Sequence, residues 1–150
     1  MPIDERVGLH VKRVEQELMA AKSGVLRPLG LTVPQYAALL LLGSNPGMSA
    51  AALARACLVT PQTMATVLAN LEAKGLVERQ LHRWHGNVIE LQLTDDGQEL
   101  LARADAKASA IERNIAAEFS TAERAQLIEM LQRVSHQLNE LSRASKATVV

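Results

Sequence analysis

The chain has 150 residues, with sixteen Lys and Arg against sixteen Asp and Glu and a formal net charge of zero. Hydrophobic residues make up 48%, enough for one packed core, which excludes general disorder. The single cysteine, Cys57, excludes an intramolecular disulfide framework.

Aromatic residues are limited to Tyr36, Trp84 and Phe119, so the core must be built from Leu, Val, Ile, Ala and Met, a bias toward a mostly α-helical fold. The longest apolar run, residues 36–42, is too short to span a bilayer. The start Met1-Pro2-Ile3-Asp4-Glu5-Arg6 lacks the basic end and apolar stretch of a signal peptide. A cytoplasmic location without a membrane partner is expected.

The patterning predicts six helices and one hairpin in a single domain over residues 1–150. The first helix, over 4–26, carries Val7, Val11, Val14, Leu18, Ala21 and Val25 in alternating steps of four and three, a narrow seam of the coiled-coil kind. Pro28 and Gly30 end it. Thr32 and Gln35 form a capping box around Pro34, and the apolar helix that follows is expected at the centre of the core. Ser44-Asn45-Pro46-Gly47 reads as a turn.

Two short helices come next. Ser49 caps one that runs to about residue 56; Thr60 caps another over 60–74, with Pro61 at its first position and Gly75 closing it. Residues 77–81 and 88–93 read as strands, the second with Ile89, Leu91 and Leu93 on one face. The polar sequence His82-Arg83-Trp84-His85-Gly86-Asn87 connects them. Thr94 caps the fifth helix, whose apolar positions run from Leu100 and Leu101 through Ala104, Ala108, Ile111 and Ile115 to Phe119. Ser120 and Glu123 form a second capping box. The last helix repeats the seam with Leu127, Leu131, Val134, Leu138 and Leu141, and its tail is expected to fray beyond Ser142.

Helix, tight turn, helix, hairpin is the order of a winged helix-turn-helix, in which the second helix enters the major groove. Here that helix sets Met64, Val67, Leu68 and Leu71 on one side and Gln62, Ala65, Thr66, Ala69 and Asn70 on the other. Glutamine and asparagine pair with adenine, and Thr and Ala methyl groups meet thymine methyls. Thr60, Gln62 and Thr63 sit at the positive end of the helix dipole, where phosphate is favoured. An ordinary amphipathic helix with a polar outer side has the same periodicity. The hairpin beside it tips the reading, because a polar tip with His82 and Arg83 is suited to a minor groove.

The segments Leu31-Thr32-Val33-Pro34-Gln35-Tyr36, Pro46-Gly47-Met48-Ser49, Val59-Thr60-Pro61-Gln62-Thr63-Met64, Leu71-Glu72-Ala73-Lys74-Gly75-Leu76-Val77-Glu78-Arg79 and Leu93-Thr94-Asp95-Asp96-Gly97 together resemble the MarR family of bacterial transcription regulators, over about residues 30–105. The resemblance implies a winged helix-turn-helix over 30–96 and a helical dimerisation region from 1–29 and 97–146. It also implies a homodimer that represses transcription and is released from DNA by a small aromatic or anionic effector. The seams of the first and last helices agree, since in a monomer they would expose apolar surface. A twofold dimer predicts a pseudo-palindromic operator in double-stranded DNA. The residues expected at the DNA are Ser49, Thr60, Pro61, Gln62, Thr63, Ala65, Thr66, Asn70, Lys74, Arg79, Arg83 and Asn87. No effector residues are assigned.

The chain departs from the family pattern at the wing. Where an acidic residue and arginines are usual, it reads His85-Gly86-Asn87, and Thr66 and Asn70 stand where arginines are frequent. Residues 49–94 hold four basic residues against three acidic, so few phosphates are neutralised and the salt dependence of binding should be shallow. A winged-helix dimer that has lost DNA binding and serves as a protein-interaction module is the competing reading. Trp84 either stacks on DNA or packs back on its own domain. Cys57 has only Arg55 near it to lower its pKa and is read as a small buried residue. His82 and His85 lack a Cys or further His nearby, so no metal or other cofactor is expected. With no Gly-rich phosphate loop and no nucleophile elbow, the chain is not expected to be an enzyme.

Overall fold

The computed structural model describes residues 1–81 and 89–147. The order is α1 (Val7–Leu26), a 3-10 turn (Arg27–Leu29), α2 (Val33–Ser44), α3 (Ala50–Ala56), α4 (Pro61–Ala73), β1 (Val77–Leu81), β2 (Ile89–Leu93), α5 (Asp95–Ala117) and α6 (Thr121–Ala147). The chain divides into two units, Met1–Ile111 and Glu112–Val150, so the division falls within α5.

In the first unit, α1 starts at Val7, three residues later than the pattern suggests. Arg6 N–H closes a turn on the Ile3 carbonyl at 3.2 Å and Arg6 itself is extended, so these residues precede the helix; the His10 ring bonds the Asp4 carbonyl at 2.9 Å. Val7, Val11 and Val14 of its seam are exposed, whereas Leu26 at its far end is fully buried. The capping box of α2 closes in both directions: Gln35 N–H donates to Thr32 Oγ1 at 3.3 Å and Thr32 N–H to Gln35 Oε1 at 3.1 Å. From that start α2 buries Tyr36, Ala38, Leu39 and Leu42 among Leu26, Leu53, Leu68, Leu71 and Leu91. Each large aliphatic side chain buried in such a cluster contributes about 1.5–3 kcal/mol relative to exposure.

The hairpin pairs antiparallel from Val77↔Leu93 to Leu81↔Ile89. Its expected apolar side is buried only at the root. Val77 and Leu91 are in the core, but Leu81 and Ile89 are exposed, because the ribbon outruns the cluster that covers its base. Gly47 and Met48 bond Leu91 on the other edge of β2, through Gly47 N–H to Leu91 O at 3.0 Å and Leu91 N–H to Met48 O at 3.2 Å. The root is locked further by Thr94, whose hydroxyl donates to the Gly75 carbonyl at 2.6 Å and accepts Gly97 N–H at 3.0 Å. A side chain at Gly97 would overlap the Leu76 carbonyl, so only glycine lets α5 start this close to the base of β1.

In the second unit, α5 ends at Ala117, leaving Phe119 beyond it. The last turn tightens through Phe119 N–H to Ala116 O, and Ser120 is already committed to α6. The second capping box closes, with Ser120 N–H to Glu123 Oε2 at 2.8 Å and Glu123 N–H to Ser120 Oγ at 3.2 Å. Helix α6 does not fray at Ser142 but continues to Ala147. Ser142 Oγ bonds the Leu138 carbonyl and Arg143 pairs with Glu140 across one turn. Leu127, Leu131, Leu138 and Leu141 are exposed along it.

Candidate nucleic-acid interface

Helix α4 is built from its cap inward. Thr60 Oγ1 accepts Thr63 N–H at 3.1 Å and shares a 2.9 Å hydroxyl contact with Thr63 Oγ1, while Pro61 supplies a first turn that needs no N–H. Met64, Val67, Leu68 and Leu71 are buried. Gln62, Thr63, Ala65, Thr66, Ala69 and Asn70 are all exposed. Thr66 Oγ1 donates back to the Gln62 carbonyl at 3.3 Å, which leaves its methyl group as the outward feature. The amides of Gln62 and Asn70 make no hydrogen bond to any described residue and remain open to an outside donor–acceptor pair.

Ser49 opens α3, its hydroxyl accepting Ala52 N–H at 3.2 Å. The α3–α4 connection is pinned by its own backbone: Leu58 N–H bonds Arg55 O and Val59 N–H bonds Ala54 O. That pattern is a Schellman closure with Leu58 at the left-handed position, φ 56°. The conformation costs a leucine about 1–2 kcal/mol relative to the right-handed well.

The structure treats the expected cationic contacts unequally. Lys74 Nζ donates to the Gly30 carbonyl at 2.7 Å and to Gln35 Oε1 at 3.4 Å, tying the end of α4 to the turn after α1. Arg79 is ion-paired with Glu72. Both heads are therefore held by protein acceptors, which sequence spacing does not reveal. Arg83 and Asn87, like His82, Trp84 and His85, lie outside the described residues.

Residues 29–86 match the model of the MarR family. The transcriptional repressor Rv2887 of Mycobacterium tuberculosis is 36% identical over 131 residues, covering 87% of this chain and 94% of its own. The chain belongs to the MarR family. Its fold agrees with the crystal structure of Rv2887 in complex with DNA, at TM-score 0.67 and 36% identity over 86% of this chain and 97% of that one. It also agrees with Rv2887 in complex with salicylic acid, at TM-score 0.69 and 35% identity over 89% and 99%. The repressor CouR bound to a 23-mer DNA duplex superposes at TM-score 0.79 with 27% identity over 89% and 94%.

This MarR protein is a transcription regulator with a winged helix-turn-helix, not an enzyme. Among the described residues no single helix is long and apolar enough to cross a membrane. In this MarR chain Cys57 is half-buried at the end of α3, and burial pushes its thiol above its ordinary pKa, the opposite of what a reactive thiolate needs. A groove of about 570 Å³ lies between α2, β2 and α5, lined by Leu40, Ser44, Gln92, Leu93, Leu101 and Asp105 among others. Asp105 accepts the Tyr36 hydroxyl at 2.8 Å and is the groove's single charged side chain.

Proposed function

We propose that this protein represses transcription as a cytoplasmic homodimer that places two copies of α4 in successive major grooves of a pseudo-palindromic operator. The observation that carries the reading is the outer side of α4. Two unengaged amides, Gln62 and Asn70, stand among short side chains, with the buried side of the same helix fixed to the core. Gln62 and Asn70 read adenine edges, and Ala65 and Thr66 meet thymine methyls. Thr60, Pro61 and Thr63 approach phosphate at the positive end of the helix, with Ser49 doing so from α3. Arg83 enters the minor groove from the segment between β1 and β2, with Asn87 following it in the same segment. Lys74 and Arg79 serve the scaffold, given the acceptors that hold them.

The second copy covers the apolar seams of α1 and α6, from residues 1–29 and 97–146. A small aromatic or anionic effector lowers DNA affinity, as the salicylic acid complex of Rv2887 suggests. The α2–β2–α5 groove offers a carboxylate no positive partner and is not assigned to that effector.

The test is in vitro selection of duplex sequences by the purified protein, followed by titration of the selected duplex with and without salicylate. A twofold-symmetric motif, blurred in the Gln62→Ala, Thr66→Ala double variant, supports the reading. Failure to retain any duplex at low salt would favour the protein-interaction module instead.

A further inference from the structure

Leu58 combines two costs in one residue. It is the single non-glycine residue with positive φ among the described residues, and its side chain is 91% exposed. It occupies the position in a Schellman closure that glycine fills at no steric cost. Its neighbours fix its direction. Cys57 before it and Val59 after it are half-buried against the core, so the turn is anchored on both sides while Leu58 points into solvent. Two residues later Thr60 opens α4, and the first three side chains of that helix, Pro61, Gln62 and Thr63, are all exposed. A residue just before the N-terminus of a recognition helix stands beside the edge of the groove that the helix enters. Strained backbone held by its surroundings marks positions where the conformation serves a function.

We propose that Leu58 is a further DNA contact, an apolar side chain laid against the deoxyribose edge of the major groove beside the N-terminus of α4. This inference rests on the DNA-binding reading above. The contact buries hydrocarbon and neutralises no phosphate, so it adds affinity without adding to counterion release. It also offsets the sparse positive charge of the winged unit, where apolar contact replaces ion pairing at one point of the footprint.

The experiment uses the full-length protein, Leu58→Gly and Leu58→Asn. Glycine and asparagine both accept left-handed backbone, so neither variant is expected to misfold. Each is titrated across a salt series against the duplex selected by the wild type, with thermal unfolding and sedimentation measured alongside. Leu58→Gly is expected to raise Tm, to keep the sedimentation of the wild type, and to bind about tenfold more weakly with a parallel salt slope, as loss of one buried apolar contact predicts. Leu58→Asn should show the same weakening. Unchanged affinity in both variants overturns the contact while leaving the DNA-binding reading intact. Weakening accompanied by loss of self-association also overturns it and places Leu58 in an interface between copies. A wild-type protein that selects no duplex overturns the DNA-binding reading, and this inference with it.

Discussion

Helices α4 and α6 carry the same kind of pattern and meet opposite fates. On α4, Met64, Leu68 and Leu71 are completely buried; on α6, Leu131 is 48% and Leu138 58% exposed. Amphipathic spacing states that one side of a helix must be covered, not what covers it. The side of α4 is covered by α2 and α3 of the same chain, which fixes the outer side in one orientation. The side of α6 is left open in the single chain, and its leucines are the surface on which a second copy is proposed to settle.

That contrast can be broken from either end. The largest effect is expected from Leu68→Ala. It removes a fully buried side chain beneath the candidate interface and should cost about 3 kcal/mol of folding stability in denaturant titration. A loss no greater than that of an exposed-site substitution would show that the α4 side is not core. Leu131→Asp on α6 is expected to leave the helical circular dichroism in place and to turn the sedimenting species into a monomer. Operator affinity should then fall about a hundredfold, or about 2.7 kcal/mol, as two half-sites are no longer bound together. A variant that still sediments as a dimer would remove α6 from the proposed interface.

Smaller effects sharpen the comparison at the helix ends. Thr60→Ala removes the α4 cap and should lower stability by about 1 kcal/mol. Lys74→Met tests whether that ammonium serves the scaffold or the DNA. A scaffold role leaves the slope of log affinity against log salt unchanged, whereas a phosphate contact would flatten it by about 0.9. The smallest effect is at the start of α6. Hydrogen bonds from the Ser120 backbone N–H, and then from its side chain, hold the Glu123 carboxyl below the usual carboxylate range. A lowered folded pKa gives a contribution that is present above the ordinary glutamate value, about 4.3, and is lost as pH falls through the lowered one. Acid titration of helicity should show that loss, and Ser120→Ala, which keeps the backbone N–H and removes only the hydroxyl, should reduce it without abolishing it.

Much of the secondary structure is written in local chemistry. Thr32 with Gln35, Ser49, Thr60 with Pro61, Thr94, and Ser120 with Glu123 each announce a helix start, because a cap needs only an acceptor a few residues from free N–H groups. The exposed side of α4 was legible for the same reason: burial of Met64, Val67, Leu68 and Leu71 leaves Gln62, Thr66 and Asn70 no other direction. Lys74 was not legible as a tie to Gly30, forty-four residues away, since nothing local distinguishes a cation aimed at DNA from one aimed at a carbonyl. Nor was the second task of Thr94, which caps α5 and also fastens the Gly75 carbonyl at the wing root.

The amino-acid order by itself determined the number and order of the helices, most of their caps, the presence of the hairpin and which side of each element is apolar. These are set by interactions between residues three or four apart on a helix and by the two-residue alternation of a strand. Only the tertiary structure decided that Leu58 stands in water on left-handed backbone and that two of the expected cations are held by protein acceptors. It also decided that burial fades toward Leu81 and Ile89 along the wing. Those outcomes depend on which distant groups the packed core brings within reach, and periodicity carries no information about that.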